Sequence, residues 1–125
     1  MAPENKIEER NTDYLFIWQN GIFKKIAVDE IMYLKASGNY CYVASSDGTN
    51  TLLSITLLKA SNAFPAERFI RISRSHIVNI RYVDAICGNV IYMGEQKFTV
   101  SSPHRKKLFS HFCFLGSNSR KLLPE

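Results

Sequence analysis

The residues with the clearest chemical potential are three arginines spaced three apart in the stretch RFIRISRSHIVNI. Arg68 and Arg71 fall in a run of apolar and β-branched residues, whereas Arg74 lies between two serines where that run breaks off. On a strand, Arg68 and Arg74 would share one face and Arg71 would point the opposite way, so the three would not form one flat basic patch. We interpret Arg71 as a phosphate clamp or as one half of a structural ion pair.

The break in the strand pattern predicts that Arg74 and Ser75 lie at the tip of a loop. An arginine at such a tip can present its planar guanidinium to a phosphate or to the edge of a guanine. The same residue could instead pair with a surface carboxylate, and spacing alone leaves both alternatives open. The segment that follows, SHIVNI, could form a short helical turn that returns the chain to the core, with Asn79 bonded to backbone groups.

A second candidate segment is the stretch ASGNYCY. Gly38 and Asn39 permit a tight turn, which would display the hydroxyl of Tyr40 or Tyr42 on a rigid ring. The alternative is an ordinary β-turn in which the tyrosine packs into the core. The residue types alone do not separate these two interpretations.

The third candidate is the stretch SSPHRKK, which has the signals of a helix start. Ser102 is placed to cap the helix, and Pro103 suits the first helical position because an N–H there would lack an intrahelical partner. Helix N-termini bind anions through their free N–H groups and the helix dipole. Ser101, His104 and Arg105 would surround such a site together with Ser102. The alternative is a plainly capped amphipathic helix.

Catalytic and metal-binding patterns are missing from the sequence. No Walker loop, GxGxxG, HExxH or GxSxG stretch occurs, and the few carboxylates in the body of the chain fall in predicted turns. The three cysteines are far apart without CxxC spacing, which favours reduced thiols over a zinc site. We therefore expect no enzyme, no metal and no cofactor.

Charge is distributed unevenly along the 125 residues. Residues 1–30 hold four basic and six acidic residues, which gives −2, and residues 31–125 hold twelve basic and five acidic residues, which gives +7. A basic body favours polyanionic partners, with nucleic acid first among them. No apolar run approaches the roughly 20 residues of a membrane span. The polar, acidic N-terminus is unlike a signal peptide, so we expect a cytoplasmic protein.

Turn and strand signals alternate along most of the chain and predict a mainly β fold. We expect eight to ten short strands in elongated antiparallel sheets or a sandwich, with one covered sheet face, free loops and two short accessory helices. Asn20 and Gly21 stand between two apolar runs and predict a type I′ hairpin. One helix is expected in SITLLKASNAF, capped by Ser54 or Thr56, and the other in SSPHRKKLFSHF. We assign residues 1–12 to a linker or disordered arm, 13–113 to one domain and 114–125 to a C-terminal tail.

Taken in order, four segments of the sequence resemble the LytTR-type DNA-binding domain of bacterial response regulators. They are DEIMYLKASGNYCYV, TLLKASNAF, RFIRISRSHIVNIRYVDAI and FTVSSPHRKKLFSHF. The resemblance runs from about Tyr14 to Phe112, and the Gly-Asn-Tyr turn at Gly38–Tyr40 falls at the place that the family expects. The family's pattern of F-x-R, R-S and V-N matches Phe69, Arg71, Arg74, Ser75, Val78 and Asn79.

The resemblance implies sequence-specific binding of double-stranded DNA by the output domain of a bacterial two-component transcription regulator. In such domains loops, rather than a recognition helix, enter successive major grooves, and paired sites on a promoter would place a homodimer on the DNA. The usual partner is an N-terminal receiver domain, for which this chain has no room, and this favours a fragment over a stand-alone regulator. Together with Arg71, considered above as a phosphate clamp, the side chains expected at the DNA are Asn39, Tyr40, Cys41, Arg74, Ser75, Ser101, Ser102, His104 and Arg105.

Two positions depart from the family pattern. Ser73 stands where the family often has a histidine, and Pro103 stands where a basic residue often follows the serine of the last segment, so Arg105 would substitute there. A hypothesis from another functional class is a β-rich protein-interaction module that docks acidic partners. A third hypothesis, single-stranded RNA binding, would require exposed aromatic residues on one sheet face.

Overall fold

The computed structural model of the protein describes residues 13–116, and over this range the chain is mainly β. The ten strands and two short α-helices of the described residues confirm the predicted fold class. Two 3₁₀ turns, Val28–Glu30 and Ile80–Tyr82, link successive strands. The other elements are β1 Tyr14–Gln19, β2 Ile22–Ala27, β3 Ile31–Ser37, β4 Tyr40–Ser45, β5 Asn50–Leu53, α1 Leu57–Ser61, β6 Phe69–Arg71, β7 His76–Asn79, β8 Ala85–Cys87, β9 Val90–Met93, β10 Gln96–Thr99 and α2 Ser102–Phe109.

The described strands pair in three antiparallel sheets. β1 and β2 form a two-stranded hairpin, and β8, β9 and β10 form a meander in the order β10–β9–β8. The central sheet has the order β5–β4–β3–β7–β6, so β3 pairs with β4 on one side and with β7 on the other. This order places the loop between β6 and β7 beside the end of β3 that leads into the β3–β4 turn.

Both faces of the central sheet are covered, whereas the sequence predicted that one face would be covered. On one face the β1–β2 hairpin and α1 enclose a cluster that includes Leu34 and Val43. On the other face the β8–β10 sheet and α2 enclose a second cluster that includes Val78, Met93 and Leu108. A strand buried on both faces reads as a continuous apolar run, which hides the alternation that would have shown two covered faces.

The stretch around Phe69 shows how the two clusters share one strand. Phe69 is buried in the first cluster, and Ile70 and Ile72 are buried in the second, so the predicted inward orientation of Phe69 and Ile72 is confirmed. Arg71 falls on the same side as Phe69 and is half-buried. Arg68 lies just before β6 and makes an ion pair with Asp29 at 2.8 Å.

The segment after the loop forms strand β7, so the predicted helical turn over SHIVNI is wrong. The helical turn comes later, at Ile80–Tyr82. The side chain of Asn79 is fully buried, and its Nδ2 donates to the Ile31 carbonyl at 2.9 Å while its Oδ1 accepts from the Arg81 N–H at 3.0 Å. The predicted structural role of this amide is therefore confirmed.

Turn and cap signals predict most local features correctly. Asn20 and Gly21 have φ of 50° and 88°, as a type I′ hairpin turn requires. Thr56, one of the two predicted caps, accepts from the Lys59 N–H at 3.2 Å and begins α1. Helix α2 begins at Ser102, so the cap position belongs to the preceding serine and the predicted cap is wrong by one residue.

Side-chain packing continues just past residue 113, the predicted C-terminal boundary of the domain. The ring of Phe114 packs against Phe109 at 5.7 Å and against Phe112 at 6.4 Å, and it contributes to the second cluster. Phe114, which the sequence assigned to the tail, therefore packs against the domain, and the bounds 13–113 stay a prediction. The predicted arm at residues 1–12 and the tail from residue 117 onward lie outside the described residues.

Candidate nucleic-acid interface

The loop Ile72–Ser75 between β6 and β7 is tied to both of the other candidate segments. The carbonyl of Ile72 accepts from the backbone N–H of Ser101 at 2.9 Å and from its hydroxyl at 3.2 Å. The carbonyl of Ser75 accepts from the N–H of Ala36 at 2.8 Å. The loop therefore lies between the start of α2 and the end of β3, and the structure brings the three predicted segments together.

Arg71 holds the interior of this loop. Its Nε donates to the carbonyl of Ser73 at 3.0 Å, and its Nη2 donates to the carbonyl of Arg74 at 2.8 Å. The hydroxyl of Ser73 in turn accepts from the N–H of Ser75 at 3.2 Å. All four carbonyls from residue 72 to residue 75 thus accept hydrogen bonds, so the backbone is fixed. Arg71 braces the loop rather than forming the ion pair considered from sequence.

The side chain of Arg74 projects from this fixed backbone and is exposed. Within residues 13–116 the ion pairs both involve Asp29, which pairs with Arg68 at 2.8 Å and with Arg81 at 4.0 Å. The surface-carboxylate alternative therefore applies to Arg68 and not to Arg74. An exposed guanidinium on a rigid loop is arranged to receive an external acceptor.

The β3–β4 turn presents the second candidate group. Gly38 has φ of 61°, which fits a tight hairpin turn with glycine at its first central position. Asn39 is exposed and Tyr40 is 47% exposed, so both are accessible to a partner. Cys41, in contrast, is fully buried in the first cluster, and burial raises the pKa of its thiol. Its expected DNA contact is withdrawn, because strand alternation turns this side chain inward.

The start of α2 presents the third candidate group. Ser101 is committed to the Ile72 carbonyl, and its own carbonyl accepts from the N–H of His104 at 2.9 Å. Ser102 is exposed, while His104 and Arg105 are half-buried. In the described part of the chain the buried Nε of Arg105 has no hydrogen-bond partner. The first turn of α2 therefore offers the hydroxyl of Ser102 and the guanidinium of Arg105 on one side of the loop, while Pro103 has no N–H and the N–H of His104 is already bonded.

His76 lies behind the loop and was not identified as part of the site from sequence. Its Nδ1 is 3.4 Å from the hydroxyl of Ser73, and its ring packs against Phe98 at 5.1 Å and Tyr33 at 6.3 Å. Burial, and next the positive charge of Lys35, lower the pKa of His76. The sequence feature that could have identified His76 is the Ser-Arg-Ser-His order around the predicted loop tip. A serine hydroxyl three residues before a histidine can reach the histidine ring across a tight turn.

The charge of the three groups has one sign. The stretches at 36–42, 71–76 and 100–107 contain three arginines and two lysines and no aspartate or glutamate. Such a cluster raises the local concentration of anions and attracts a polyanion before any specific contact forms. The candidate interface is therefore a positively charged surface built from two turns and one helix start.

Metal and membrane features are not found in the described residues. No group of three or more histidine, cysteine, aspartate or glutamate side chains there could hold a metal ion. Among the same residues, no helix has the length and apolar character needed to cross a membrane.

Proteins similar to this chain are found among protein families and among solved structures. No curated protein matches the chain significantly. One matching structure is the LytTr DNA-binding domain of a protein described as a methyl-accepting/DNA response regulator from Bacillus cereus, with 20% identity and a TM-score of 0.70. The match covers 83% of this chain and 100% of that one, and it supports the fold. The model of the LytTr DNA-binding domain family matches residues 22–112, which include all three candidate groups. The chain therefore belongs to the LytTr family of DNA-binding domains.

Proposed function

We propose that this domain binds double-stranded DNA sequence-specifically, as the output domain of a bacterial two-component transcription regulator. Loops, rather than a recognition helix, enter successive major grooves. The observation that supports this most directly is the hydrogen-bonded loop Ile72–Ser75, which holds Arg74 exposed between two other basic or polar segments. A fixed loop can place one side chain at a base edge without the ordering cost that a flexible loop would carry.

In this proposal Arg74 reads a base. The guanidinium donates two hydrogen bonds to O6 and N7 of a guanine in the major groove, which is the commonest specific contact of arginine with DNA. Asn39 and Tyr40 contact the DNA from the β3–β4 turn. Ser75, beside Arg74, positions the loop on the phosphate backbone through its hydroxyl.

The start of α2 binds phosphate in the same proposal. A phosphate oxygen accepts from the hydroxyl of Ser102, at the positive end of the helix dipole. Arg105 supplies the guanidinium there, because Pro103 occupies the position where a basic residue is common in the family. His104 faces the same phosphate. Ser101 contributes by holding the helix start against the loop through the Ile72 carbonyl.

The number of domain copies on the DNA follows from the short length of duplex that one domain can contact. Two copies bind paired sites in a promoter, and the receiver domain of the regulator controls their pairing. Half-sites read from one side of the duplex are separated by about one helical turn, roughly 10–10.5 base pairs, or by multiples of it. The spacing between half-sites in the selected DNA therefore shows whether two copies bind together.

Selection of bound sites from a random duplex library tests this function. We expect enrichment of a short motif that contains a guanine, and an affinity for that motif well above the affinity for scrambled duplex. The logarithm of the binding constant should fall linearly with the logarithm of salt concentration, with a slope of about −0.9 per phosphate contacted. Enrichment of no motif, with equal affinity for all duplexes, would contradict sequence-specific binding. Failure to bind duplex at low salt would contradict DNA binding altogether.

A further inference from the structure

The outer face of the β1–β2 hairpin is unusually rich in exposed aromatic rings. Tyr14, Phe16 and Trp18 alternate along β1 and are 46%, 63% and 57% exposed. Phe23 on β2 lies opposite Trp18 and is 64% exposed, and Lys25 lies opposite Phe16. We call these five residues the aromatic face. Contiguous apolar surface of this kind on a folded domain usually marks an interaction site.

Side chains of the aromatic face contact one another before any partner binds. Trp18 and Phe23 pack edge to face, with ring centroids 5.0 Å apart. The ammonium of Lys25 lies 4.6 Å from the centre of the Tyr14 ring. Cross-strand contacts of this type hold side chains in one rotamer, so a partner that covers them loses little side-chain entropy on binding. The face is thus preorganised for contact.

A cleft of about 220 Å³ opens beside the aromatic face, between β1 and the segment that carries α1. Phe16, Trp18, Ile55 and Phe64 contribute to its apolar lining, and Ser54 supplies its polar part. Such a cleft accepts one leucine or phenylalanine side chain. A nucleobase would leave several polar atoms without hydrogen bonds in it, and this costs more than stacking returns.

Charge on the hairpin selects the kind of partner. Residues 14–27 contain two lysines and no carboxylate. Lys25 lies on the aromatic face, whereas Lys24 pairs in register with the buried Ile17 and lies on the other side of the hairpin. Two copies that met through the aromatic face would bring like charges together, which is unfavourable. An acidic segment would instead complement Lys25 while its apolar side chains cover the rings.

The position of the aromatic face separates it from the proposed DNA contacts. The hairpin covers the face of the central sheet opposite to the one that α2 covers. Strand β1, which carries three of the rings, also precedes residue 22, where the match to the DNA-binding family begins. DNA binding therefore gives no reason for these rings to be exposed.

We propose that the aromatic face and its cleft form a docking site for an acidic segment of another protein. One apolar side chain of that segment fills the cleft, and a carboxylate of the segment pairs with Lys25. Lys25 is the recognising charge, and the rings supply the buried area. This inference does not depend on the DNA contacts proposed above.

Selection from a random library of 16-residue peptides displayed on phage tests the proposal. We expect enriched peptides to combine aspartate or glutamate with leucine or phenylalanine. Trp18 is the single tryptophan of the chain, so binding should shift its fluorescence emission to shorter wavelength. Phe16→Ser and Lys25→Glu should each weaken binding of an enriched peptide at least tenfold. Leu58→Ser, which removes an equally exposed apolar side chain from α1, should leave it unchanged.

The controls separate this site from the DNA site and from other occupants. Both hairpin variants should bind duplex DNA as the unaltered chain does, which shows that they fold. The proposal would be overturned if no peptide were enriched or if the enriched peptides lacked carboxylates. It would also be overturned if Phe16→Ser and Lys25→Glu bound an enriched peptide as tightly as the unaltered chain does. Three other occupants would also overturn it: a second copy of the chain, an anionic membrane, or single-stranded nucleic acid. They would be shown if Phe16→Ser left peptide binding unchanged but abolished a dimer in analytical ultracentrifugation, co-sedimentation with phosphatidylglycerol vesicles, or binding of oligothymidine.

Discussion

The backbone N–H of Ala36 donates to the carbonyl of Ser75 across 2.8 Å, and this bond joins the strand before the Gly38 turn to the loop that presents Arg74. The two segments are far apart in sequence and lie side by side because β3 pairs with β7. A displacement of either segment would break a backbone hydrogen bond that is worth about 1 kcal/mol. This bond and the pairing of β3 with β7 hold the two segments side by side, which suits the DNA contacts proposed for them.

Replacing Arg74 should reduce selectivity for the selected DNA motif. Arg74→Ala removes the guanidinium proposed to read guanine, so we expect a loss of about 1–3 kcal/mol in discrimination. Electrophoretic mobility shift with the selected motif and with scrambled duplex measures both affinities. Arg81→Ala removes an equally positive exposed side chain and should weaken both duplexes alike. The same ratio of affinities for Arg74→Ala and the unaltered chain would contradict the assigned role.

Replacing Arg71 should disturb the loop without removing a base contact. Arg71→Ala leaves the carbonyls of Ser73 and Arg74 without their donor, so we expect a fall of about 1–3 kcal/mol in the free energy of unfolding. Affinity for the selected motif should also fall although Arg74 is intact. Arg71→Lys keeps the charge but lacks the planar fork that reaches two acceptors, so it should not restore either property.

A double-mutant cycle distinguishes this bracing role from a direct phosphate contact. If Arg71 acts by orienting Arg74, the effects of Arg71→Ala and Arg74→Ala on affinity for the motif should overlap, with a coupling of about 0.5–3 kcal/mol. Additive effects, together with a reduced salt slope for Arg71→Ala alone, would point instead to an independent phosphate contact.

Local signals in the sequence predict much of the fold, because turns and caps depend on neighbouring residues. The Asn20–Gly21 turn, the Thr56 cap and the structural role of Asn79 follow from such chemistry. The start of α2 was misplaced because Ser101 bonds to the Ile72 carbonyl, an acceptor supplied by a distant part of the chain. Local sequence carries no information about that acceptor.

The sequence predicts which segments form the candidate site, but it predicts the roles of their side chains only in part. Motif order places Arg74 at a loop tip, and the structure leaves it exposed there. Two other roles depend on tertiary contacts that spacing does not reveal. Cys41 faces the core because of its register in β4, and Arg71 turns toward the carbonyls of its own loop. A motif position thus identifies which segments meet, whereas the direction of each side chain depends on the packing behind it.

Removing the amide of Asn79 should destabilise the domain. Asn79→Ala leaves the Ile31 carbonyl and the Arg81 N–H without their partners, and a buried unsatisfied group costs about 1–3 kcal/mol. We expect the free energy of unfolding to fall by about 2–3 kcal/mol in urea denaturation followed by circular dichroism. Asn50→Ala, at an exposed position of β5, should change it by less than about 0.5 kcal/mol. Equal effects of the two substitutions would show that the buried amide has no special structural role.

His76 should make stability depend on pH just below neutrality. Its pKa in the folded protein is lowered from 6.5, first by burial and then by Lys35, while the surrounding Tyr33, Phe98 and Ser73 bring no carboxylate to the ring. Below about pH 6.5 the unfolded chain binds a proton that the folded chain does not, so the free energy of unfolding falls as pH decreases toward the folded-state pKa. Above that pH the histidine is neutral in both states and its contribution is fully present. Urea denaturation at intervals between about pH 5.5 and 7.5 should therefore show a decline that His76→Gln reduces and His111→Gln, at an exposed position just after α2, retains. An unchanged decline in His76→Gln would assign the pH dependence to other groups.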